Sequence, residues 1–242
     1  DVPPDTRRVH LELTGLPNMA LCMFLYRAGL ETPIGRYCTG RSGEGTEVGA
    51  LELEPGSHLV AVMQDRDVYS TFLPPVPVLE NISDVYELKV SAATNDPAHE
   101  VEPNDTARDA NRVAVGAHFR GTLGWMRDVD FVCAEAGSSK VRFVVTDPVS
   151  GARPRSAVLQ VTPKGGPSDG IPVRVHAAGT KLDPTLNHDV AGSWKSPAVD
   201  RSVGDACLQL ELVPNPLAPA PLPTVAPASK DEYDVLVESG SG

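Results

Sequence analysis

The sequence predicts an all-β protein built from two tandem jelly-roll-like β-sandwiches, residues 1–97 and 98–242. Three observations predict it. The chain carries 23 Pro and 21 Gly against 5% aromatic residues, a composition of short strands broken by turns. Apolar residues alternate in short runs, and no 3.6-residue period is sustained long enough for a helix. At 242 residues the chain exceeds most single sandwiches and suits two.

The elements follow in order. Residues 9–13 alternate, and Gly15-Leu-Pro17 ends the run. Residues 20–26 form an apolar strand stopped near Gly29, and 35–38 return. Residues 40–45 (Gly-Arg-Ser-Gly-Glu-Gly) read as a hairpin turn, because a phosphate-cradling loop needs a following helix and usually a Lys. Residues 51–53 precede the Pro55-Gly56 turn, 59–63 are a buried strand, and 85–90 close the first unit. The Pro-rich stretch 73–78 is unfit for a central strand and reads as a loop. Residues 92–99 are polar, contain Pro97 and read as a linker. In the second unit strands are expected at 121–125, 130–134, 140–146, 157–162, 171–176, 206–213 and 232–237. Residues 187–205 read as a long insert, and the Pro/Ala-rich 214–227 as an extended surface loop.

A weak internal repeat supports two copies of one fold. Arg8-Val-His-Leu-Glu-Leu13 resembles Lys140-Val-Arg-Phe-Val-Val145. Gly56 to Val62 takes the place of Gly204 to Leu210, and Asp84 to Val90 that of Asp231 to Val237. Nothing before Arg7 corresponds to residues 100–135, although 1–5 look like the tail of the strand that would. The expected explanation is a piece of a longer chain. The alternatives are a strand donated by a neighbouring chain, or a shortened sandwich, since an unpaired edge is association-prone.

The chemistry concentrates in Glu100-Val-Glu-Pro-Asn-Asp-Thr106 and, further on, Asp128-Val-Asp130. In an extended segment Glu100, Glu102 and Asn104 share a face, as do Asp128 and Asp130. With Asp105 these are six hard-oxygen side chains, and Ca²⁺ takes six to eight oxygens. The competing reading is a capped turn, Thr106 with Asp109, which leaves Asp128 and Asp130 at the surface.

The same residues carry a resemblance. Glu-Pro-Asn-Asp-Thr, then Ala110-Asn111, then Gly-Thr-Leu-Gly-Trp and Asp-Val-Asp-Phe resemble the opening of a bacterial pre-peptidase C-terminal domain. The resemblance covers about 100–237 and, more faintly, the first unit. It implies small β-sandwiches of secreted bacterial proteins, often beside proteases. The related collagen-binding domains of clostridial collagenases hold Ca²⁺ with such an acidic segment.

The remaining residues narrow the function. Cys22, Cys38, Cys133 and Cys207 form no C-x-x-C pair, which disfavours zinc. Their strand positions predict Cys22–Cys38 and Cys133–Cys207, one bridge per unit. Such bridges belong to the periplasm, the cell surface or the exterior. A net charge of −11 argues against a nucleic-acid partner. No apolar run approaches the ~20 residues of a membrane-spanning helix. The six histidines include no H-E-x-x-H pair, and no G-x-S-x-G elbow exists, so no catalytic role is expected. Trp125 reads as a packing residue. Trp194, in an expected loop beside Lys195, is a candidate ligand contact, against the competing reading of a Trp that covers one end of the sandwich. The function expected is a non-catalytic, exported accessory or binding module. It would bind a cell-surface protein or polysaccharide, or space other domains. The alternatives are a subunit of an extracellular assembly completed by strand addition, and a hydrolase-associated domain of a larger secreted enzyme.

Overall fold

The computed structural model describes residues 1–4, 8–39, 42–65, 79–81, 83–94, 96–123, 128–135, 137, 140–147, 157–164, 170–201, 205–217 and 232–240. Among these every extended regular element is a strand and no α-helix occurs. They divide into two compact units, 1–94 with 101–103, and 96–100 with 104–217 and 232–240. The handover is therefore not a single cut between 97 and 98. Val101–Pro103 belongs with the first unit because Glu102 N donates to Ala50 O (2.9 Å) and Glu102 O accepts from Glu52 N (2.7 Å).

The first unit contains β1 (Arg8–Leu13), β2 (Leu21–Arg27), β3 (Gly35–Cys38), β4 (Thr46–Glu52), β5 (His58–Gln64) and β6 (Leu88–Ala92). They form two antiparallel sheets, ordered β4-β1-β6 and β3-β2-β5. The period-two pattern sets their facing sides. Val9, Leu11 and Leu13 meet Leu21, Met23 and Leu25 in one core. Pairing with β1 sets the extents of its neighbours. β4 begins at Thr46, opposite Leu13, well before the expected 51. β6 begins at Leu88, leaving Val85 and Tyr86 exposed outside the strand. Cys22 and Cys38 lie directly opposite each other on β2 and β3 and are bridged. Arg36 covers the Phe24 ring (5.1 Å) and bonds Asp65 at 3.3 Å.

The second unit contains β7 (Asn111–Val113), β8 (His118–Thr122), β9 (Val129–Ala134), β10 (Lys140–Thr146), β11 (Ala157–Lys164), β12 (Val173–His176), β13 (Asp189–Ala191), β14 (Ser193–Lys195), β15 (Val199–Asp200), β16 (Cys207–Pro214) and β17 (Glu232–Ser239). One sheet runs β14-β10-β17-β8, with β15 also on β10, and the other runs β13-β12-β11-β16-β9-β7. Phe119, Phe143, Val145, Val161, Leu208 and Val235 fill the space between them. Cys133 and Cys207 are register partners on β9 and β16 and form the second disulfide.

The repeat is visible in the register. Leu11 opposes Val90 and Leu13 opposes Leu88, as Phe143 opposes Val237 and Val145 opposes Val235. Met23 opposes Val62, as Val161 opposes Leu210.

Two expectations are corrected. The stretch read as an insert carries three short strands, and Trp194 sits in β14 rather than in a loop. Its side chain is 9% exposed and belongs to the core, so it is not turned outward toward a ligand. The physical reason is β10. Trp194 pairs with Val145, and Ser196 Oγ accepts from Phe143 N at 2.9 Å, which ties the segment onto the sheet. Trp125, the Pro-rich 73–78, most of 214–227 and residues 40–41 of the Gly-rich turn lie outside the described residues.

The Cys133–Cys207 bridge closes a loop of sequence separation 74 and so removes much freedom from the unfolded chain. Cys133→Ala with Cys207→Ala is expected to cost the second unit about 2–4 kcal/mol. Urea unfolding followed by Trp fluorescence checks this.

Candidate metal centre

The centre begins where the chain enters the second unit. Asp96 accepts from Ala98 N and pairs with the His99 ring, and both interactions hold its carboxyl below the usual value. Arg120 N then donates to Ala98 O, and Glu100 N donates to Arg120 O, which lays residues 98–100 parallel to β8. Downstream, Phe131 N donates to Asn104 O at 2.9 Å, fastening that residue to β9. Glu100, Glu102 and Asn104 are buried, while Pro103 and Asp105 are exposed, the alternation expected of an extended segment.

Glu100, on the segment alongside β8, and Asp130, on β9, approach each other. Glu100 Oε1 accepts from Thr122 N (2.8 Å) and Thr122 Oγ1 (2.6 Å). Asp130 Oδ2 accepts from the Tyr233 hydroxyl of β17 at 2.7 Å. The two residues each present a carboxylate oxygen within 4.8 Å of the other. Asp130 is 0% exposed, and nothing hydrogen-bonds its Oδ1 among the described residues. Asp128 is also buried, one β-period away on the same side.

Electrostatics make the arrangement costly for anions alone. Burial pushes the Asp130 carboxyl well above its ordinary value, and the Glu100 and Asp128 charges push it further. The Tyr233 hydrogen bond opposes them, and Asp105 adds a smaller upward push. Asp105 stands at the rim, raised by desolvation and, less, by Asp109, while a backbone hydrogen bond lowers it.

Gly121 permits this approach. A Cβ there would lie 2.2 Å from the Tyr233 hydroxyl oxygen and 2.5 Å from Glu100 Oε2. The residue is glycine because two functional side chains occupy the space above it, a role invisible in the sequence.

Within the second unit the structure therefore gathers Glu100, Asn104, Asp128 and Asp130 around the entry segment, with Asp105 at its edge. Glu102 has its backbone committed to β4 of the first unit. The capped turn exists as well: Thr106 Oγ1 donates to Asp109 Oδ2 at 2.7 Å. It does not leave Asp128 and Asp130 at the surface, so the turn and the buried cluster coexist. Tyr233 and Thr122 join the site without having been expected there. Their only sequence signal is a place in the strands that flank the acidic segment.

A second polar cluster has no counterpart among the expected sites. On the parallel pair β12–β13, Asp189 accepts from Arg174 Nε (2.7 Å) and pairs with His176 Nε2 (2.8 Å). Asp189 is adjacent to His188 in sequence, but its partners come from the neighbouring strand. In the first unit Cys22 and Cys38 lie close to Asp65, but their sulfurs are bonded to each other and are not metal ligands.

Neither a family model nor a curated protein matches the chain. Among solved structures it is similar to the infectious bursal disease virus VP2 subviral particle at 11% identity and a TM-score of 0.20, covering 99% of this chain and 59% of that one. The structure of infectious bursal disease virus Gx strain gives 11% identity and a TM-score of 0.18, with 99% of this chain and 59% of that one covered. TM-scores this low carry no argument.

The raised Asp130 carboxyl has a signature in stability. Because the folded state holds the Asp130 proton more tightly than the unfolded state, this group favours folding below its unfolded value and loses that contribution as pH rises through the raised folded value. In chelator, thermal melts of Asp130→Asn should therefore depend less on pH than those of the unaltered protein above about pH 4. Separately, Asp189→Ala leaves Arg174 and His176 without their shared carboxylate and should cost about 3 kcal/mol or more, read by urea unfolding.

Proposed function

We propose that this chain is a non-catalytic, exported binding module whose second unit is stapled by Ca²⁺ at the acidic entry segment. The observation that carries the reading is Asp130, a fully buried carboxylate with one oxygen lacking any hydrogen-bond partner among the described residues, surrounded by further carboxylates. Buried charge of one sign is costly unless it is neutralised by protons or by a cation. The donors are all hard oxygens, which suits Ca²⁺ rather than a softer metal. Glu100, Asp128 and Asp130 would hold the ion, with Asn104 adding a neutral oxygen and Asp105 closing the rim. The ion would supply the positive charge that the site lacks, fastening the entry segment to β8 and β9.

The resemblance of the same segment to pre-peptidase C-terminal domains supports export and an accessory role. The two disulfides fit an oxidising compartment, the periplasm or cell exterior. No helix among the described residues is long and apolar enough to cross a membrane. The partner class that fits is a protein or polysaccharide at a bacterial surface.

Thermal melts with Ca²⁺ and with chelator test the staple. A ligand bound only by the folded state raises its stability by RT ln(1 + [L]/Kd), about 2.7 kcal/mol at a hundredfold excess over Kd. The midpoint of the second unit should rise by roughly 5–20 °C for such a gain, at about 2–8 °C per kcal/mol. Asp130→Asn should melt higher than the unaltered protein in chelator and show no rise with Ca²⁺. Equal midpoints with Ca²⁺ and chelator in the unaltered protein would sink the proposal. A glycan and protein array showing no ligand above background would leave only the spacing role.

A further inference from the structure

Each disulfide joins register partners on neighbouring strands, yet the two lie in unlike surroundings. Leu21, Met23 and Leu25 of β2 enter the core of the first unit, so alternation turns Cys22 to the outward face of its sheet. Phe24 shares that face, and the register adds Arg36 and Cys38 from β3 and Met63 from β5. Met63, beside Cys22, is 44% exposed, whereas Cys22 and Cys38 are 0% and 4% exposed.

A charged pair screens this first bridge. The Arg36 guanidinium lies over the Phe24 ring, and its Nη2 donates both to Cys22 Sγ (3.7 Å) and to Asp65 Oδ1 (3.3 Å). Asp65 follows β5 directly, is fixed by its own N–H donating to Ala20 O at 2.8 Å, and buries its side chain. A buried ion pair is costly to build, and apolar side chains can screen a bridge without that cost. The second bridge is screened in that way: Cys133 and Cys207 pack with Ala110 and Phe131. Arg112, the register neighbour of Cys133, bonds Asp205 at 2.8 Å.

Topology separates the two bridges further. Among the described residues β3 is the outermost strand of its sheet and only 4 residues long, whereas β9 and β16 each have a strand on both sides. Short edge strands open locally at small cost. The first bridge has a sequence separation of 16 and the second of 74, so breaking the first returns less freedom to the chain. A sulfur leaves a disulfide faster the better it carries negative charge, and a neighbouring guanidinium stabilises that charge. Asp65 is the opposing charge, with a carboxylate oxygen within 4.8 Å of the sulfurs. Arg36 stands against both, neutralising the carboxylate and contacting Cys22. Phe24 and Met63, the other neighbours on this face, carry no charge.

We propose that Cys22–Cys38 is an exchangeable bridge that takes a low-mass thiol at Cys38, with Arg36 holding Cys22 as the leaving thiolate. The incoming thiolate, its proton lost to solvent, attacks Cys38 Sγ. The Cys22–Cys38 bond breaks as the new sulfur–sulfur bond forms, and its electron pair passes to Cys22 Sγ beside Arg36. One disulfide is lost and one is gained, so the exchange consumes no oxidant and no reductant. It reverses when Cys22 attacks the mixed disulfide and expels the thiol. The slight exposure of the sulfurs suits a low-mass thiol rather than a cysteine on a folded protein. The site rests on neither the cation nor the binding role proposed above.

The probe is reduced glutathione, added to the full chain without denaturant. Acid quenching, alkylation and peptide mass spectrometry then read each cysteine over time. Cys22–Cys38 is expected to open at least about tenfold faster than Cys133–Cys207. The first product should carry glutathione on Cys38 and the alkyl label on Cys22. Arg36→Gln should slow that opening at least about threefold, and Arg36→Lys should keep most of the rate. The direction separates charge from packing, because a merely loosened first unit would exchange faster. In Cys38→Ser, the pH midpoint of Cys22 alkylation should lie about one unit lower with Arg36 in place than with Arg36→Gln. Equal opening rates for the two bridges would overturn the proposal, as would glutathione on Cys22. So would an Arg36→Gln variant that opens no more slowly or leaves the alkylation midpoint where it was.

Discussion

Two long antiparallel pairs govern the second unit, β10 with β17 and β11 with β16. Each must turn every second side chain toward the other sheet, because a one-residue slip would move the whole apolar set to the wrong face. Val141, Phe143 and Val145 meet Val161, Leu208 and Leu210 on those terms. The other strands are additions to this frame. β14 and β15 attach to β10, β12 to β11, β8 to β17 and β9 to β16. The acidic centre depends on the last two, since β8 carries Thr122 and Gly121, β9 carries Asp130, and β17 carries Tyr233.

That hierarchy explains which parts are legible in the sequence. Residues 140–146 and 35–38 read with their observed limits because their patterning and flanking turns agree. The strands that depend on a partner read poorly. Val199–Asp200 is two residues long and exists only because Lys140 and Val141 offer an edge. Ser193–Lys195 is too short for its alternation to signal a strand, so its Trp reads as a loop residue until β10 is placed beside it. Both disulfides are legible because each cysteine lies in a recognisable strand and each unit holds two. Pairing between strands, which places Asp189 beside His176, leaves no local trace.

In the acidic segment, alternation foretells which side chains share a face, and the burial of Glu100, Asn104 and Asp130 follows it. Depth is less legible. Carboxylates near a turn are ordinarily solvated. What draws Asp130 inward is its place on β9, between Val129 and Phe131 in sequence but opposite Leu210 in the sheet. Tyr233 then supplies a hydroxyl from the far side. The segment also links two kinds of backbone pairing in quick succession: residue 100 bonds Arg120, and residue 102 bonds Ala50 and Glu52. No composition or spacing rule would separate those two allegiances.

The Cys133–Cys207 bridge has a mechanical consequence. Its sequence separation is 74 residues, so under tension that stretch is short-circuited by a covalent path. At about 3.4 Å per extended residue, roughly 250 Å of contour is withheld from any pull applied at the ends of the chain. Because the bridge joins β9 to β16, the β9 end of the acidic centre stays anchored to its sheet neighbour even after the outer strands have been peeled away. The stretch between the two cysteines cannot lengthen under load until the bridge is reduced.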